Sequence, residues 1–420
     1  MRRNLFLFFV SFMFVLSCCT RPQKGPSPFD QLAETQVATS PEPGSLVEGP
    51  DFLIIPDLSL VYSAGSADFS IERYISKDSG LSGYQELVDE KVLSGAEIVA
   101  KLSREYSVNP RLLLALLDFQ SGWVSNGQLP AAAQYPIFPE DESQQRLYRQ
   151  LSWAANELNR GFYLRRVGAL DEILLADGTR VQVSPQINDA SAALQYVLGK
   201  LAGYSEWQSA VGPLGIHITL LSLFGEAGAL TQASTLIPEL IQPELYLPFE
   251  AGQTWFYTSG PHSAWGDGAA WAALDFAPDE DEFGCYRASA WVTAAADGLI
   301  IRSGDGQVVQ DLDGDEDEGT GWTLLYMHIS DEDRVPAGAY LKAGDKIGHP
   351  SCTGGPASGT HLHIARRFNG EWIPADQDCP FILSGWTSKG EGVEYDGSLV
   401  RDGLEIFASA FPTDENKITP

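Results

Sequence analysis

The chain has 420 residues, of which 44% are apolar and 20% are charged, a composition typical of globular proteins and long enough for two or three domains. Acidic residues outnumber basic ones by 56 to 27, so the formal net charge is −29. Because this charge repels phosphate backbones and anionic lipid surfaces, we expect neither nucleic acid nor an anionic membrane surface as the main partner.

The first residues predict export. Two arginines precede an apolar run from Leu5 to Leu16, which has the length of a signal peptide and is too short for a comfortable membrane span. The stretch "VLSC", residues 15–18, resembles the lipoprotein box of bacteria. This resemblance implies removal of residues 1–17 and lipidation of Cys18, with a lipid anchor in the membrane. The alternative is an ordinary secretory signal, and either predicts an extracytoplasmic protein.

The composition and hydrophobic pattern of the remaining chain change three times. Residues 18–50 are rich in Pro, Ser, Gly and Thr and predict a flexible tether. Residues 51–247 carry helix signals, among them a capping box at Ser94 and Glu97, and Asn109 before Pro110. Asp177-Gly178 between apolar runs predicts a hairpin.

Residues 248–385 contain short apolar runs separated by Gly, Pro and Asp, as in antiparallel strands. Residues 386–420 form a loosely patterned C-terminal extension. The predicted class is α+β and multidomain, with an N-terminal all-α domain and a C-terminal antiparallel β domain.

Histidine placement is the most informative signal, because the chain has only six. In "THLHIARRF", His361 and His363 share one face of a strand, since side chains at i and i+2 point the same way. Such a pair favours a bound cation, and catalytic zinc usually takes three protein ligands. His262 in "SGPHSAW" and Asp275 in "WAALDFA" are the other candidates. A carboxylate in that apolar setting needs a partner, although a turn cap at a strand end is an alternative for Asp275.

These segments resemble the lysostaphin-type, or LytM-type, zinc endopeptidases, and within them the β-lytic and staphylolytic subgroup. "SGPH" is followed 13 residues later by the aspartate of "ALDF". "AAADGLI" and the Gly-rich run "LKAGDKIGHPSCTGGPASGTHLHIARR" come next in the family's order. The family's shorter His-x-x-x-Asp form is absent, because position 271 is tryptophan. The resemblance covers residues 250–380.

The resemblance implies one zinc ion per chain, bound by His262, Asp275 and His363. His361 would be the catalytic histidine, with His328 of "YMHIS" as its partner. It further implies cleavage of peptide bonds in peptidoglycan. His349 and His217 have no such role and are interpreted as structural.

Three downstream cysteines suit an oxidising compartment. Cys352 and Cys379 bracket the His-x-His strand and are the favoured disulfide, with Cys285 left free or taking one of those partners. The acidic run "DLDGDEDEG" offers a calcium loop at Asp311, Asp313, Asp315 and Asp317. It departs from the EF-hand pattern, however, with Glu316 at its sixth position and Trp322 at its twelfth. A solvated acidic hairpin loop is the alternative.

The helical domain resembles lysozyme-like lytic transglycosylases around "YSVNPRLLLALLDFQSGWV". The position of their general acid holds Gln120, which cannot protonate a glycosidic oxygen usefully. We therefore expect a glycan-binding or inactive lysozyme-like module. The alternatives are a structural helical domain, and an active glycosidase using Asp118 or Glu105.

Two function classes compete for the whole chain. The leading hypothesis is a lipid-anchored zinc endopeptidase that cleaves peptidoglycan. The alternative is a non-catalytic envelope protein that binds the wall or activates a partner hydrolase through a peptidase-like fold. A secreted general protease acting on glycine-rich proteins is a third reading.

Overall fold

The computed structural model describes residues 41–42, 44–126, 134–138, 142–229 and 240–420. The predicted signal peptide, Cys18 and most of the predicted tether lie outside these residues. The helices are α1 Gly95–Tyr106, α2 Pro110–Ser121, α3 Leu147–Arg166, α4 Asp189–Leu201, α5 Tyr204–Ala210 and α6 Ile216–Ala229. One-turn 3₁₀ helices cover Asp57–Ser59, Ile71–Arg73 and Glu142–Gln144. Within the described ranges, none of these helices has the length and apolar character needed to cross a membrane.

Short strands alternate with these helices and then dominate the C-terminal half. They are β1 Leu46–Glu48, β2 Gln85–Val88, β3 Lys91–Ser94, β4 Glu172–Leu174, β5 Arg180–Gln182, β6 Trp255–His262, β7 Ala273–Pro278, β8 Val292–Thr293, β9 Gly298–Gly304, β10 Gln307–Asp311, β11 Trp322–Met327, β12 Tyr340–Leu341, β13 Lys346–Gly348, β14 Leu362–Phe368, β15 Glu371–Trp372, β16 Ile382–Leu383, β17 Trp386–Gly390, β18 Gly397–Arg401, β19 Leu404–Phe407 and β20 Lys417–Ile418.

The predicted helix starts are confirmed. Ser94 Oγ accepts from Glu97 N at 3.3 Å, and Glu97 Oε2 accepts from Ser94 N at 2.7 Å, so both halves of the capping box form before α1. At α2, Asn109 Oδ1 accepts from Arg111 N at 3.0 Å, with Pro110 in the first turn. Both signals are local in sequence, because each cap satisfies N–H groups two or three residues away.

The prediction of an all-α N-terminal domain is wrong. Strands β1, β5 and β4 form a three-stranded sheet, and β2 pairs with β3. The predicted Asp177-Gly178 turn does connect β4 to antiparallel β5. The other strands are three or four residues long, too short to display an alternating pattern. β1 moreover pairs in parallel with β5, more than 130 residues away in the chain.

The predicted antiparallel β domain is confirmed. Its main sheet has the strand order β12-β9-β10-β11-β14-β7-β6-β20, with β15 beside β14. The C-terminal extension is folded rather than loose: β20 pairs with β6, while β16, β17, β18 and β19 form a separate antiparallel sheet.

The two faces of the main sheet have different neighbours. Leu324, Tyr326 and Ile364 point into a core formed within the β domain. Val309, Leu325 and Ala365 point the other way and pack in the core that contains the helices. His361 and His363 alternate with Leu362 and Ile364 along β14, so they lie on the helix-facing side.

Polar contacts join the two parts of residues 41–420, which form one compact unit. Arg166 of α3 binds Glu371 through hydrogen bonds of 2.7 and 2.8 Å. Ser107 Oγ donates to the Gly370 carbonyl at 2.6 Å. The helical region is therefore attached to the side of the sheet that carries His361 and His363.

Candidate metal centre

Three predicted ligands converge at one end of the helix-facing side of the sheet. Asp275 on β7 lies directly opposite His363 on β14, and His262 ends the neighbouring strand β6. His262 Nε2 lies 3.0 Å from His363 Nδ1 and 3.3 Å from Asp275 Oδ1, and His363 Nδ1 lies 3.2 Å from Asp275 Oδ1. All three residues are buried. Strand pairing thus brings together groups that are about a hundred residues apart in the sequence.

Hydrogen bonds fix the protonation of both imidazoles. His262 Nδ1 lies 2.8 Å from the Gly260 carbonyl, and His363 Nε2 lies 3.1 Å from the Ala264 carbonyl. Because a carbonyl only accepts, each of these nitrogens carries a proton, and in the neutral form of each ring this is its only proton. The other nitrogens, His262 Nε2 and His363 Nδ1, then face each other with lone pairs.

This donor set fits a metal ion. Asp275 Oδ1 is buried and receives no hydrogen bond from any described residue. Burial opposes the charge of Asp275, but positive charge on the flanking His262 and His361 rings outweighs it and keeps the pKa of this carboxyl well below its usual value, and a cation held between neutral rings supplies the same charge. Two imidazole nitrogens and one carboxylate oxygen are a donor set that zinc uses in catalytic sites.

The two predicted catalytic histidines lie beside this triad. The rings of His328 and His361 have centroids 4.4 Å apart. His361 Nδ1 donates to the Gly359 carbonyl at 2.8 Å and His328 Nδ1 to the Thr353 carbonyl at 3.0 Å, so in the neutral form of each ring Nε2 is the acceptor. Burial, and then the neighbouring His361 and His363, lower the pKa of His328 to about 3, so its ring is neutral at physiological pH.

Comparison with known proteins identifies this domain. Residues 283–374 match the model of peptidase family M23, a range that contains His328, His361 and His363, while His262 and Asp275 precede it. The chain carries an M23 peptidase domain. Residues 53–233 match the N-terminal domain of LasA.

Two curated relatives span both parts of the chain. Protease LasA of Pseudomonas aeruginosa strain PAO1 is 27% identical over 321 residues, covering 70% of this chain and 71% of that protein. Protease LasA of strain UCBPP-PA14 is 26% identical over 349 residues, covering 76% of this chain and 75% of that protein. Among solved structures, the deep-sea M23 metalloprotease pseudoalterin is 24% identical with a TM-score of 0.34, covering 40% of this chain and 96% of that one.

The favoured Cys352–Cys379 disulfide is wrong, and the alternative in which Cys285 takes one of those partners is confirmed: Cys285 bonds to Cys352. The segment around Cys285 lies against the strand entry, because Thr360 N donates to the Gly284 carbonyl and Ala288 N donates to the Pro350 carbonyl. Cys379 has no disulfide partner in the part of the chain that the structure describes.

The disulfide lies in the loop that orients His328. Ser351 N and Ser351 Oγ donate to the His328 carbonyl at 2.7 and 3.0 Å, and the Thr353 carbonyl accepts from the His328 ring. His328 itself has φ 65°, a left-handed conformation that non-glycine residues adopt only at a cost. Cys352 lies between Ser351 and Thr353, the two residues that hold His328 in this conformation.

A cleft of about 1710 Å³ opens over the candidate metal centre. The helical region forms one wall, and the C-terminal extension contributes to another. The wall residues from the helical region include Lys101, Glu105, Tyr106, Tyr148, Trp153 and Asn156. The extension contributes Tyr395, Asp396, Ala408, Ser409 and Ala410.

Tyr395 is a site residue that the sequence did not reveal. Its ring stacks on His262 with centroids 4.8 Å apart and an interplanar angle of 25°. The Tyr395 carbonyl accepts from Gly260 N at 2.7 Å, in the strand that ends at His262. A tyrosine in a weakly patterned tail carries no spacing signal, so only the fold places it here.

The residues singled out in the helical region either have structural partners or lie outside the cleft. Gln120 is absent from the cleft lining. Asp118 Oδ1 accepts from Val124 N, Ser125 N and Ser125 Oγ. Glu105 is buried, ion-paired with Lys101 at 2.7 Å, and accepts from Gln307 at 3.2 Å. Both carboxylates therefore serve local structure, and the lysozyme-like reading stays a prediction.

The remaining predicted ligands and histidines have structural partners. Asp311, Asp313 and Asp315 have carboxylate oxygens within 4.8 Å of one another, whereas Asp317 is outside this group. Asp311 and Asp315 already accept from Glu316 N and Thr320 Oγ1, so the calcium loop gains no support here. His349 and His217, as predicted, contact backbone carbonyls, those of Ala290 and Ile54.

Proposed function

We propose that this protein is a zinc-dependent endopeptidase that cleaves peptide bonds in bacterial peptidoglycan. The observation that carries the proposal is the convergence of three potential ligand atoms, from His262, Asp275 and His363, within 3.3 Å of one another. The M23 domain match and the similarity to Protease LasA over most of the chain support the same chemistry.

The metal and the protein have separable roles in the proposed reaction. Zinc, when bound by the triad, polarises the scissile carbonyl and makes a water molecule more acidic. His328 and His361 present unprotonated Nε2 atoms, and one of them accepts the proton of the attacking water. That ring then carries a positive charge, which stabilises negative charge developing on the carbonyl oxygen.

The cleft suits a polymer better than a small molecule. Its volume exceeds the roughly 300–1,000 Å³ of ordinary ligand pockets. Because α3 forms a wall, a bound polymer contacts the helical region as well as the M23 domain. Tyr148 and Trp153 offer flat faces there, which makes them better candidates for glycan or peptide contact than Gln120.

We further propose an extracytoplasmic location. The Cys285–Cys352 disulfide requires an oxidising compartment, consistent with the export signal. Lipidation at Cys18 remains part of this proposal, with secretion as the alternative.

Mass analysis of fragments released from purified peptidoglycan tests the function. The wild-type chain should release peptide fragments and lose this activity with a chelator. Asp275→Asn should lose both activity and zinc, and His361→Ala should lose activity while retaining zinc.

Two results would count against the proposal. A wild-type chain that binds zinc but releases no fragments would favour the non-catalytic envelope role. Stoichiometric metal loss in His361→Ala would contradict the division between ligand and catalytic histidines.

A further inference from the structure

The loop that follows the candidate ligand His262 makes three hydrogen bonds with one side chain of the helical region, Asn156. We call residues 263–270 the ligand loop. Asn156 Oδ1 on α3 accepts from Gly268 N at 3.0 Å and from Asp267 N at 3.2 Å. Asn156 Nδ2 donates to Asp267 Oδ1 at 2.6 Å. One amide therefore makes three hydrogen bonds to the loop across the domain boundary.

The helix and the ligand loop are in backbone contact at this point. A Cβ on Gly268 would lie 2.1 Å from the Asn156 carbonyl oxygen. Gly266 has φ +62°, and a Cβ there would lie 2.5 Å from Asn156 Oδ1. Arg160, one turn along α3, adds an ion pair to Asp267 Oδ1 at 2.7 Å. The loop cannot move away from α3 without losing these hydrogen bonds, the backbone contact and the ion pair.

The same loop orients a metal ligand. The Ala264 carbonyl accepts from His363 Nε2 at 3.1 Å, which selects the tautomer that directs Nδ1 towards the other two ligands. Ala264 N in turn donates to the Ala270 carbonyl at 3.0 Å, which closes the loop on itself. The ligand His262 immediately precedes the loop. The position of the loop thus bears on both histidine ligands.

We propose that Asn156 is a positioning residue for the metal centre and acts through the ligand loop. It holds the Ala264 carbonyl against His363 Nε2, so a side chain of the helical region sets the affinity of the M23 domain for its metal. The inference depends on the proposed zinc site, but not on which substrate is cleaved. Loss of partners that orient ligating histidines typically weakens metal binding by about 10- to 100-fold.

The test is the zinc dissociation constant of the full chain, measured by competition with a chromophoric chelator, together with the absorption spectrum of the cobalt-substituted protein. Asn156→Ala should raise the dissociation constant about tenfold and shift the cobalt bands. Asp267→Ala should give a smaller change in the same direction. Because the Asp267 side chain is 76% exposed, this second variant does not threaten folding.

Asn159→Ala is the matched control. Asn159 is an asparagine on the same helix, is fully buried, and donates to the Tyr106 carbonyl at 2.7 Å. It has no hydrogen bond to the ligand loop among the described contacts. This variant should unfold at a lower temperature with the zinc dissociation constant and the cobalt spectrum unchanged.

Exchanging the side chains at positions 156 and 267 provides a test of whether zinc affinity can be restored. Asn156→Asp places two carboxylates at a contact that is now 2.6 Å long, so it should weaken zinc binding. Adding Asp267→Asn restores one amide donor and one carboxylate acceptor in exchanged positions. The double variant N156D/D267N should recover most of the lost affinity.

Three results would overturn the positioning role. They are unchanged zinc affinity in both Asn156→Ala and Asp267→Ala, an equal loss in Asn159→Ala, and no recovery in the double variant. A wild-type chain that binds no zinc would be a different result, since it removes the metal centre itself and the positioning role with it.

Discussion

His262 Nε2 and His363 Nδ1 lie 3.0 Å apart, and each belongs to a ring whose other nitrogen faces a backbone carbonyl. In its neutral form each ring donates its only N–H to that carbonyl, and Asp275 Oδ1 adds a third electron-rich atom to the same space. Such an arrangement is unfavourable by itself, because burial removes the water that would otherwise screen and hydrogen-bond these atoms. A bound cation turns the repulsion into coordination.

Metal removal should therefore destabilise the fold. At free zinc a thousandfold above the dissociation constant, binding stabilises the native state by about 4 kcal/mol, because the unfolded chain does not bring the ligands together. We expect the unfolding temperature to fall by several degrees on chelation and to recover with added zinc, as measured by scanning calorimetry. Asp275→Asn provides the control, since its unfolding temperature should not respond to zinc. An identical zinc response in that variant would contradict the ligand assignment.

Breaking the disulfide should impair catalysis without removing the metal. In Cys285→Ser, the loop that carries Ser351 and Thr353 loses its covalent link, and these residues hold His328. Small displacements of a catalytic group lower kcat by up to about 100-fold, and loss of a native disulfide costs about 2–4 kcal/mol of stability. We expect kcat, measured on a peptide substrate, to fall. The zinc content, measured by metal analysis, should stay unchanged.

Cys379→Ser is the control for the disulfide, because Cys379 is not bonded to another described cysteine. It should leave kcat and the unfolding temperature unchanged. An effect as large as that of Cys285→Ser would show that any cysteine change disturbs this domain.

Glu318 should contribute stability that depends on pH. Burial by itself raises the pKa of Glu318, but Arg302 at 2.9 Å and Arg367 at 2.6 Å reverse this and lower the pKa to about 2. Since the folded pKa lies below the unfolded value near 4.5, this stabilisation is complete above about pH 4.5 and is lost as the pH falls towards 2.

Glu318→Gln is the corresponding variant. It leaves two arginines without their shared carboxylate, and Arg367 is buried, so the free energy of unfolding should fall by about 3–5 kcal/mol at pH 7. Urea unfolding at pH 7, 4 and 3 should show the gap to the wild-type protein narrowing as the pH decreases. A gap of constant size would mean that the ion pairs are not its source.

The M23 domain should not be soluble when separated from the helical region. A chain of residues 240–420 would expose the sheet face that carries Val309, Leu325 and Ala365, all now buried against helices. Large exposed apolar patches cause association or aggregation. Size-exclusion chromatography and binding of a hydrophobic dye should reveal this. A monomeric, dye-negative fragment that melts cooperatively would contradict it.

The grouping of the candidate metal ligands was easier to predict from the sequence than the rest of the fold. His361 and His363 share a face through the two-residue period of a strand, and Asp275 stood out because a carboxylate in an apolar run needs a partner. By contrast, the disulfide partner of Cys352 could not be predicted. A backbone hydrogen bond between Thr360 and Gly284 brings Cys285 close to Cys352, and no local sequence pattern encodes this contact. Tyr395 and Asn156 reach the site only through tertiary packing, since neither has a motif around it.

The helix-facing side of the main sheet carries the metal ligands at one end and is occupied by helices over the remainder. Among the described residues, the cleft over these candidate ligands lies between α3 on one flank and residues 395–396 and 408–410 of the C-terminal extension on the other. Neither flank supplies a single metal ligand, yet together they define the width and direction of entry. Under the proposed function, the choice of substrate depends on parts of the protein that lie outside the segment bearing the candidate catalytic histidines.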